Sequence, residues 1–102
     1  YLTEEGYEII DRNWRHKQDE IDIIAKKSSW VIIVEVKTRT GTGFGKPYEF
    51  VDERKQKALV RAAEAFIHTN EIDEDIRFDI ISIEVSGENN VLIEHIENAI
   101  SL

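Results

Sequence analysis

The spacing of apolar and polar positions predicts several strands and one central helix. Tyr1-Leu2 reads as the tail of a helix stopped at Gly6, and Tyr7 to Trp14 as a first strand with imperfect alternation. Glu20-Ile21-Asp22-Ile23-Ile24-Ala25 gives a second strand. Trp30-Val31-Ile32-Ile33-Val34-Glu35-Val36-Lys37 gives a third, a β-branched run typical of a strand buried on both faces. The polar residues Lys26-Lys27-Ser28-Ser29 between them predict an antiparallel hairpin. Gly41 to Pro47 reads as a loop, and Asp52 as the N-cap of a helix whose apolar stripe is Leu59, Ala62, Ala63, Phe66 and Ile67. That helix should pack on the sheet. Two last strands, Ile76 to Val85 and Val91 to Ile96, flank a turn at residues 86–90. The predicted order is α-β-β-β-α-β-β: a mixed-sheet α/β (α+β) domain.

With 102 residues and 41% hydrophobic content, the chain suits a single modest core, so one domain over residues 1–102 is expected. Cysteine is absent, which removes disulfides and thiolate metal sites and makes a cytoplasmic setting the expectation. No apolar run approaches the roughly 20 residues that cross a bilayer, so no membrane partner is expected. Methionine is absent too, so the natural start, and most of the first helix, are expected upstream of Tyr1. The net charge of -8 argues against nucleic acid at first sight, but it is unevenly spread. Residues 1–61 carry 12 Lys and Arg against 11 acids, whereas residues 62–102 carry Arg77 alone against 10 acids. A local basic surface between Glu35 and Arg61 remains compatible with this distribution.

Chemistry enters where the third strand breaks its own pattern. Glu35 and Lys37 sit two apart on one face of an otherwise apolar strand, where a buried charge is costly without compensation. Glu20 and Asp22 share one face of the second strand. A hairpin turn at Lys26 to Ser29 sets Asp22 diagonal to Glu35, and one at Lys27 to Trp30 sets the two directly opposite. Both put the carboxylates on one face. Two carboxylates beside an ammonium suit Mg2+ (or Mn2+), which takes one or two carboxylates, waters and phosphate oxygens, and the main-chain carbonyl of Val36 could add a ligand. Lys37 would then orient the attacking water or stabilise charge developing on phosphorus. The residues alone equally admit a buried charge network that merely terminates the hairpin.

A wider pattern runs along the chain: Gly6-Tyr7, Arg12-Asn13-Trp14-Arg15, Glu20-Ile21-Asp22, Val34-Glu35-Val36-Lys37-Thr38-Arg39, Phe44-Gly45-Lys46-Pro47, Lys55, Arg77-Phe78-Asp79 and His95-Ile96-Glu97-Asn98-Ala99. It resembles the bacterial YraN-like uncharacterised family over nearly the whole chain. That family is similar to Holliday-junction resolvases and restriction endonucleases of the PD-(D/E)XK superfamily. The resemblance implies a restriction endonuclease-like core, with Asp22 as the motif's first acid, Glu35 as its second and Lys37 as its lysine. It implies DNA as partner and a homodimer as one state. A further acid that members carry in a first helix falls before Tyr1, and Asp19 stands where the family has glycine.

The remaining polar residues are weaker candidates. Lys55, four residues before Leu59, could reach over the sheet end to a phosphate or remain a solvated lysine, and Gln56 is its neighbour. Glu20 could support Asp22 by hydrogen bonding or simply enter the strand from solvent, and Arg39 could touch phosphate or pair with an acid. His16, His68 and His95 are too scattered for a ligand cluster, and Trp14 and Trp30 read as core or hairpin packing. The glycines at 41, 43 and 45 suit a lid better than a nucleotide cradle. Three functions follow in order: a metal-dependent nuclease, a nucleic-acid-binding module without chemistry, and a protein-interaction domain using the acidic C-terminal part.

Overall fold

A computed structural model describes residues 1–40, 52–87 and 90–100, with the side chains of residues 39 and 40 excepted. Its elements are β1 (Glu8–His16), β2 (Asp19–Lys27), β3 (Trp30–Thr40), α1 (Glu53–Asn70), β4 (Asp75–Ser86) and β5 (Asn90–Ile96). They form one sheet in the order β1-β2-β3-β4-β5. β3 and β4 are parallel and joined through α1, while every other neighbouring pair is antiparallel. Among the described residues this is a mixed five-stranded sheet with one helix, an α+β arrangement compatible with a restriction endonuclease-like core. The predicted glycine loop at residues 41–47 lies outside the described residues.

Two apolar clusters cover the two faces of the sheet. On one, Leu59, Ala62, Ala63 and Phe66 of α1 pack on Ile24, Val31, Ile33, Phe78 and Ile80, with Ile100 closing the edge. The expected helical stripe therefore does the packing, since residues three and four apart share one side of a helix. Asp52 caps it as expected, its carboxylate accepting from the Lys55 amide at 2.9 Å. On the other face, Leu2 and Tyr7 cover Ala25, Ile32, Val34 and Ile81. β3 thus feeds both clusters, which explains its unbroken apolar run.

Leu2 and Tyr7 are held by a turn over residues 2–6, where the structure has turn rather than the tail of a helix. The Tyr7 amide donates to the Leu2 carbonyl at 2.9 Å and the Gly6 amide to the Thr3 carbonyl at 3.2 Å. Gly6 itself adopts φ 90°, a left-handed value that a side chain would resist. This paired bonding, with an apolar contact across it, is the Schellman closure, and it is what the sequence predicts at Gly6. α1 closes the same way on Glu71 at φ 51°, with bonds from Glu71 to His68 and from Ile72 to Ile67.

The β2–β3 hairpin departs from expectation in its turn. Strand pairing continues to Lys27↔Trp30, leaving only Ser28 and Ser29 in the turn, with Ser28 at φ 56°. The polar Lys26 and Lys27 extend the strand because one face there is open to solvent. Trp30, at this end of the hairpin, is 39% exposed rather than part of the core. The register nevertheless matches the second alternative, because Ile23↔Val34 is its last pair and the next step sets Asp22 opposite Glu35.

At that step the alternation breaks. Ile21 and Ile23 are two apart, yet Ile21 packs beneath α1 and Ile23 packs on the opposite face. Trp14 follows Ile21 to the helix side, where its ring meets Phe66 edge-on at 5.3 Å. Asn13, between Arg12 and Trp14, takes φ 51°, a conformation asparagine tolerates better than most residues. The β1–β2 ribbon is therefore turned at Asn13 and Asp22, and no alternating pattern could announce it.

Candidate metal centre

The turn at Asp22 aims its carboxylate at β3. Asp22 Oδ2 accepts the Val36 amide at 2.8 Å, just past the last regular β2–β3 pair. The amide and carbonyl of one strand residue point to the same side, so the Val36 carbonyl faces this same gap. Glu35 lies beside it, 4% exposed on the α1 side of β3. Lys37, two residues on, places its ammonium 3.5 Å from Glu35 Oε1. Lys55 reaches the same oxygen from the first turn of α1, at 3.4 Å. The helix stripe accounts for this reach, since Lys55 stands one turn before the buried Leu59.

Both lysines thus serve one oxygen of Glu35. The other, Oε2, is buried without a hydrogen-bond partner. An orphaned carboxylate oxygen is costly, and it is what a cation-binding residue shows when its ligand is not part of the structure. Asp22, Glu35 and the Val36 carbonyl therefore fit a hard divalent ion. Among the described residues no cluster of three or more acidic, histidine or cysteine side chains forms a protein cage. A donor set of two carboxylates and one main-chain carbonyl suits magnesium or manganese better than zinc or calcium.

The electrostatics carry a testable sign. Burial, and then the charge of Asp22, push the Glu35 pKa upward, while Lys55 and Lys37 draw it partly back. A carboxyl with a raised folded-state pKa contributes stability that is present below the unfolded value, about 4.3 for Glu, and lost as pH rises through the folded value. Without added metal, the Glu35→Gln variant is expected to melt higher than the parent at pH 7 and to lose that part of the pH dependence. Parallel melting-temperature profiles from pH 4 to pH 8 for the two proteins would contradict this account.

Other sequence candidates are placed differently. Glu20 does not join the centre, and the reason is the turn at Asp22 that breaks their shared face. Its carboxylate instead takes Arg15 at 2.6 Å. Gln56 borders a surface cleft with Glu53, Lys57 and Arg61. Arg39 stands in register with Glu84, and the expectation for its side chain lies outside the described residues. His16 stacks on Trp14 at 6.2 Å.

Two features escaped the sequence reading. Ser82 pairs with Lys37 in the β3–β4 register and is 3% exposed, a buried polar side chain on the α1 side of the sheet. Asp79, on the opposite face with Tyr7, is the hub of a buried network. Its carboxylate accepts Arg77 Nε at 2.9 Å, Arg77 Nη2 at 2.7 Å and the Asn98 amide at 3.0 Å, and lies 2.7 Å from His95 Nε2. Arg77 Nη2 also donates to the Tyr7 hydroxyl at 2.8 Å. The bonds to Asp79 hold the Arg77 pKa above its ordinary value. The signal was available: Asp79 interrupts the apolar run Phe78 to Ile81, just as Glu35 interrupts β3.

Comparison with known proteins supplies the family. The model of "Uncharacterised protein family UPF0102" matches residues 1–83. A UPF0102 protein of Bacteroides thetaiotaomicron is 51% identical over 100 residues, 97% of this chain and 81% of that protein. One from Flavobacterium johnsoniae is 44% identical over 103 residues, 97% and 83% of the two chains. A third, from Rhodococcus opacus, is 42% identical over 100 residues, 97% and 85%. The chain accordingly belongs to the UPF0102 family, the YraN-like group that its motifs resemble.

Proposed function

We propose that this protein is a metal-dependent nuclease that hydrolyses phosphodiester bonds in DNA, branched or damaged forms included, in a cytoplasmic setting. One observation carries the reading: Glu35 Oε2 is buried and unpartnered, in a carboxylate that feels the charge of Asp22 and whose other oxygen meets two ammonium groups. A network that served only to terminate the hairpin would have both carboxylate oxygens satisfied. Asp22, Glu35 and the Val36 carbonyl would hold Mg2+ or Mn2+, and the ion when bound would supply an activated water and neutralise charge on the phosphate. Asp22 does a second job, because its bond to the Val36 amide fixes the end of β3 on which Glu35 and Lys37 ride. Lys37, 26% exposed in its side chain, can turn from Glu35 to a phosphate oxygen or the attacking water. Lys55 then remains as the counter-charge of Glu35, beside the two readings, a phosphate contact or a solvated lysine, that the sequence leaves open. No helix among the described residues is long and apolar enough to cross a membrane.

The test is thermal unfolding with magnesium or manganese. Binding to the folded state alone adds about 2.7 kcal/mol at a hundredfold excess over Kd. For a domain of this size that is a rise of about 10–20 °C. Asp22→Asn should abolish it. An equal rise in Asp22→Asn would place the ion elsewhere and remove the basis for the nuclease.

A further inference from the structure

The two edges of the sheet are built differently. β1 is protected: its pairing shifts register between Ile9 and Asp11, Asn13 takes a left-handed conformation, and Asp11, Arg12, Arg15 and His16 stud its outer part. Bulges and charges of this kind keep an edge strand from recruiting another strand. β5, at the opposite edge, has neither device over its first half. Val91, Leu92 and Ile93 are consecutive and 59%, 62% and 41% exposed, and among the described residues β4 is the strand's one partner in the sheet. Three successive exposed aliphatic residues on this edge place apolar surface on both faces, beside backbone groups that no other described strand pairs.

Charge decides what such an edge would accept. Residues 78–102 contain five acids and no Lys or Arg, and although Asp79 is buried against Arg77, Glu84 and Glu94 lie beside the apolar triplet. Glu94 is exposed next to the apolar triplet, in register with Ser82, and Glu84 pairs with Leu92 on the same face. The carboxylates of Glu84 and Glu94 disfavour nucleic acid on this strip. A second copy of the chain would bring the same acidic strip against itself. An extended polypeptide with aliphatic side chains and a neighbouring cation meets every feature: main-chain hydrogen bonds along the edge, apolar contacts to Val91, Leu92 and Ile93, and an ion pair to Glu94.

We propose that β5 is a docking edge for an extended segment of another protein, in which three consecutive aliphatic residues adjoin a lysine or arginine. It adds as a sixth strand outside β5. This surface is separate from the centre at Asp22 and Glu35, and stands whether or not that centre is a nuclease.

The experiment uses a fluorescein-labelled peptide, Lys-Lys-Val-Leu-Val-Lys-Lys, titrated with the whole protein and followed by anisotropy. Two control peptides replace the lysines with glutamate or the central leucine with proline. The lysine peptide should bind at low salt and weaken as salt screens the charges, and neither control should bind. Leu92→Lys and Glu94→Lys, both at exposed positions, should each weaken binding by about tenfold or more, equivalent to at least about 1.4 kcal/mol, with an unchanged circular-dichroism spectrum. Binding that survives Leu92→Lys, or is equal for the proline peptide, would overturn the proposal. So would no binding of the lysine peptide, or a dimer in sedimentation that Leu92→Lys dissociates, since the edge would then belong to a second copy.

Discussion

Asp79→Ala is expected to destabilise the protein by about 3–5 kcal/mol, the usual effect of removing one partner from a buried ion pair. The carboxylate is 1% exposed, and its loss strands the Arg77 guanidinium, the His95 ring and the Asn98 amide together. A small domain has only about 5–15 kcal/mol in total, so the variant should sit close to unfolding at 37 °C. Urea unfolding reads this directly. A loss under about 1 kcal/mol would mean that water replaces the carboxylate without penalty, and that the network is looser than its distances indicate. Arg77→Met in the Asp79→Ala background should restore part of the loss, because it removes the orphaned charge.

Lys37→Ala separates chemistry from binding. The carboxylates are assigned to the ion, whereas Lys37 acts mainly on the transition state, so the variant should keep the metal-induced rise in melting temperature and much of its DNA affinity. Its cleavage rate should fall by about 10²- to 10³-fold, the scale for loss of one preorganised electrostatic group. The full-length protein should be offered linear, single-stranded, flapped and four-way DNA with magnesium or manganese. Cleavage that disappears in both Asp22→Asn and Lys37→Ala supports the nuclease. Undiminished cleavage in Lys37→Ala would remove the lysine from the mechanism, and binding without cleavage by the parent protein would favour a nucleic-acid-binding module.

Much of this architecture is legible in the chain because it rests on periodicity. The apolar run of β3, the stripe of α1, the cap at Asp52 and the stop at Gly6 each follow from one local rule, and each element forms where that rule puts it. The hairpin register was legible to within two alternatives, since any even turn keeps Asp22 and Glu35 on the same side. What periodicity cannot carry is a break in itself. The reversal at Asn13 and Asp22 removes Glu20 from the centre and turns Asp22 toward the Val36 amide. Lys55 meeting Glu35 depends on how α1 lies across the sheet, which no local pattern specifies. Asp79 is a different case. A charged residue inside an apolar strand drew attention at Glu35 and warranted the same attention at position 79.

The network around Asp79 also bears on the order in which the chain assembles. Tyr7 meets Arg77 across 70 positions of sequence and Glu97 across 90, the latter at 3.3 Å. Closing a loop of that length costs about 4 kcal/mol of chain entropy beyond a constant. The β1–β2–β3 hairpins and α1 close much shorter loops, so the Tyr7–Arg77–Asp79 junction should form after them, past the folding barrier. Substitutions there would then leave the refolding rate nearly unchanged and appear almost wholly as faster unfolding. The junction would set how long the folded molecule lasts rather than how quickly it forms.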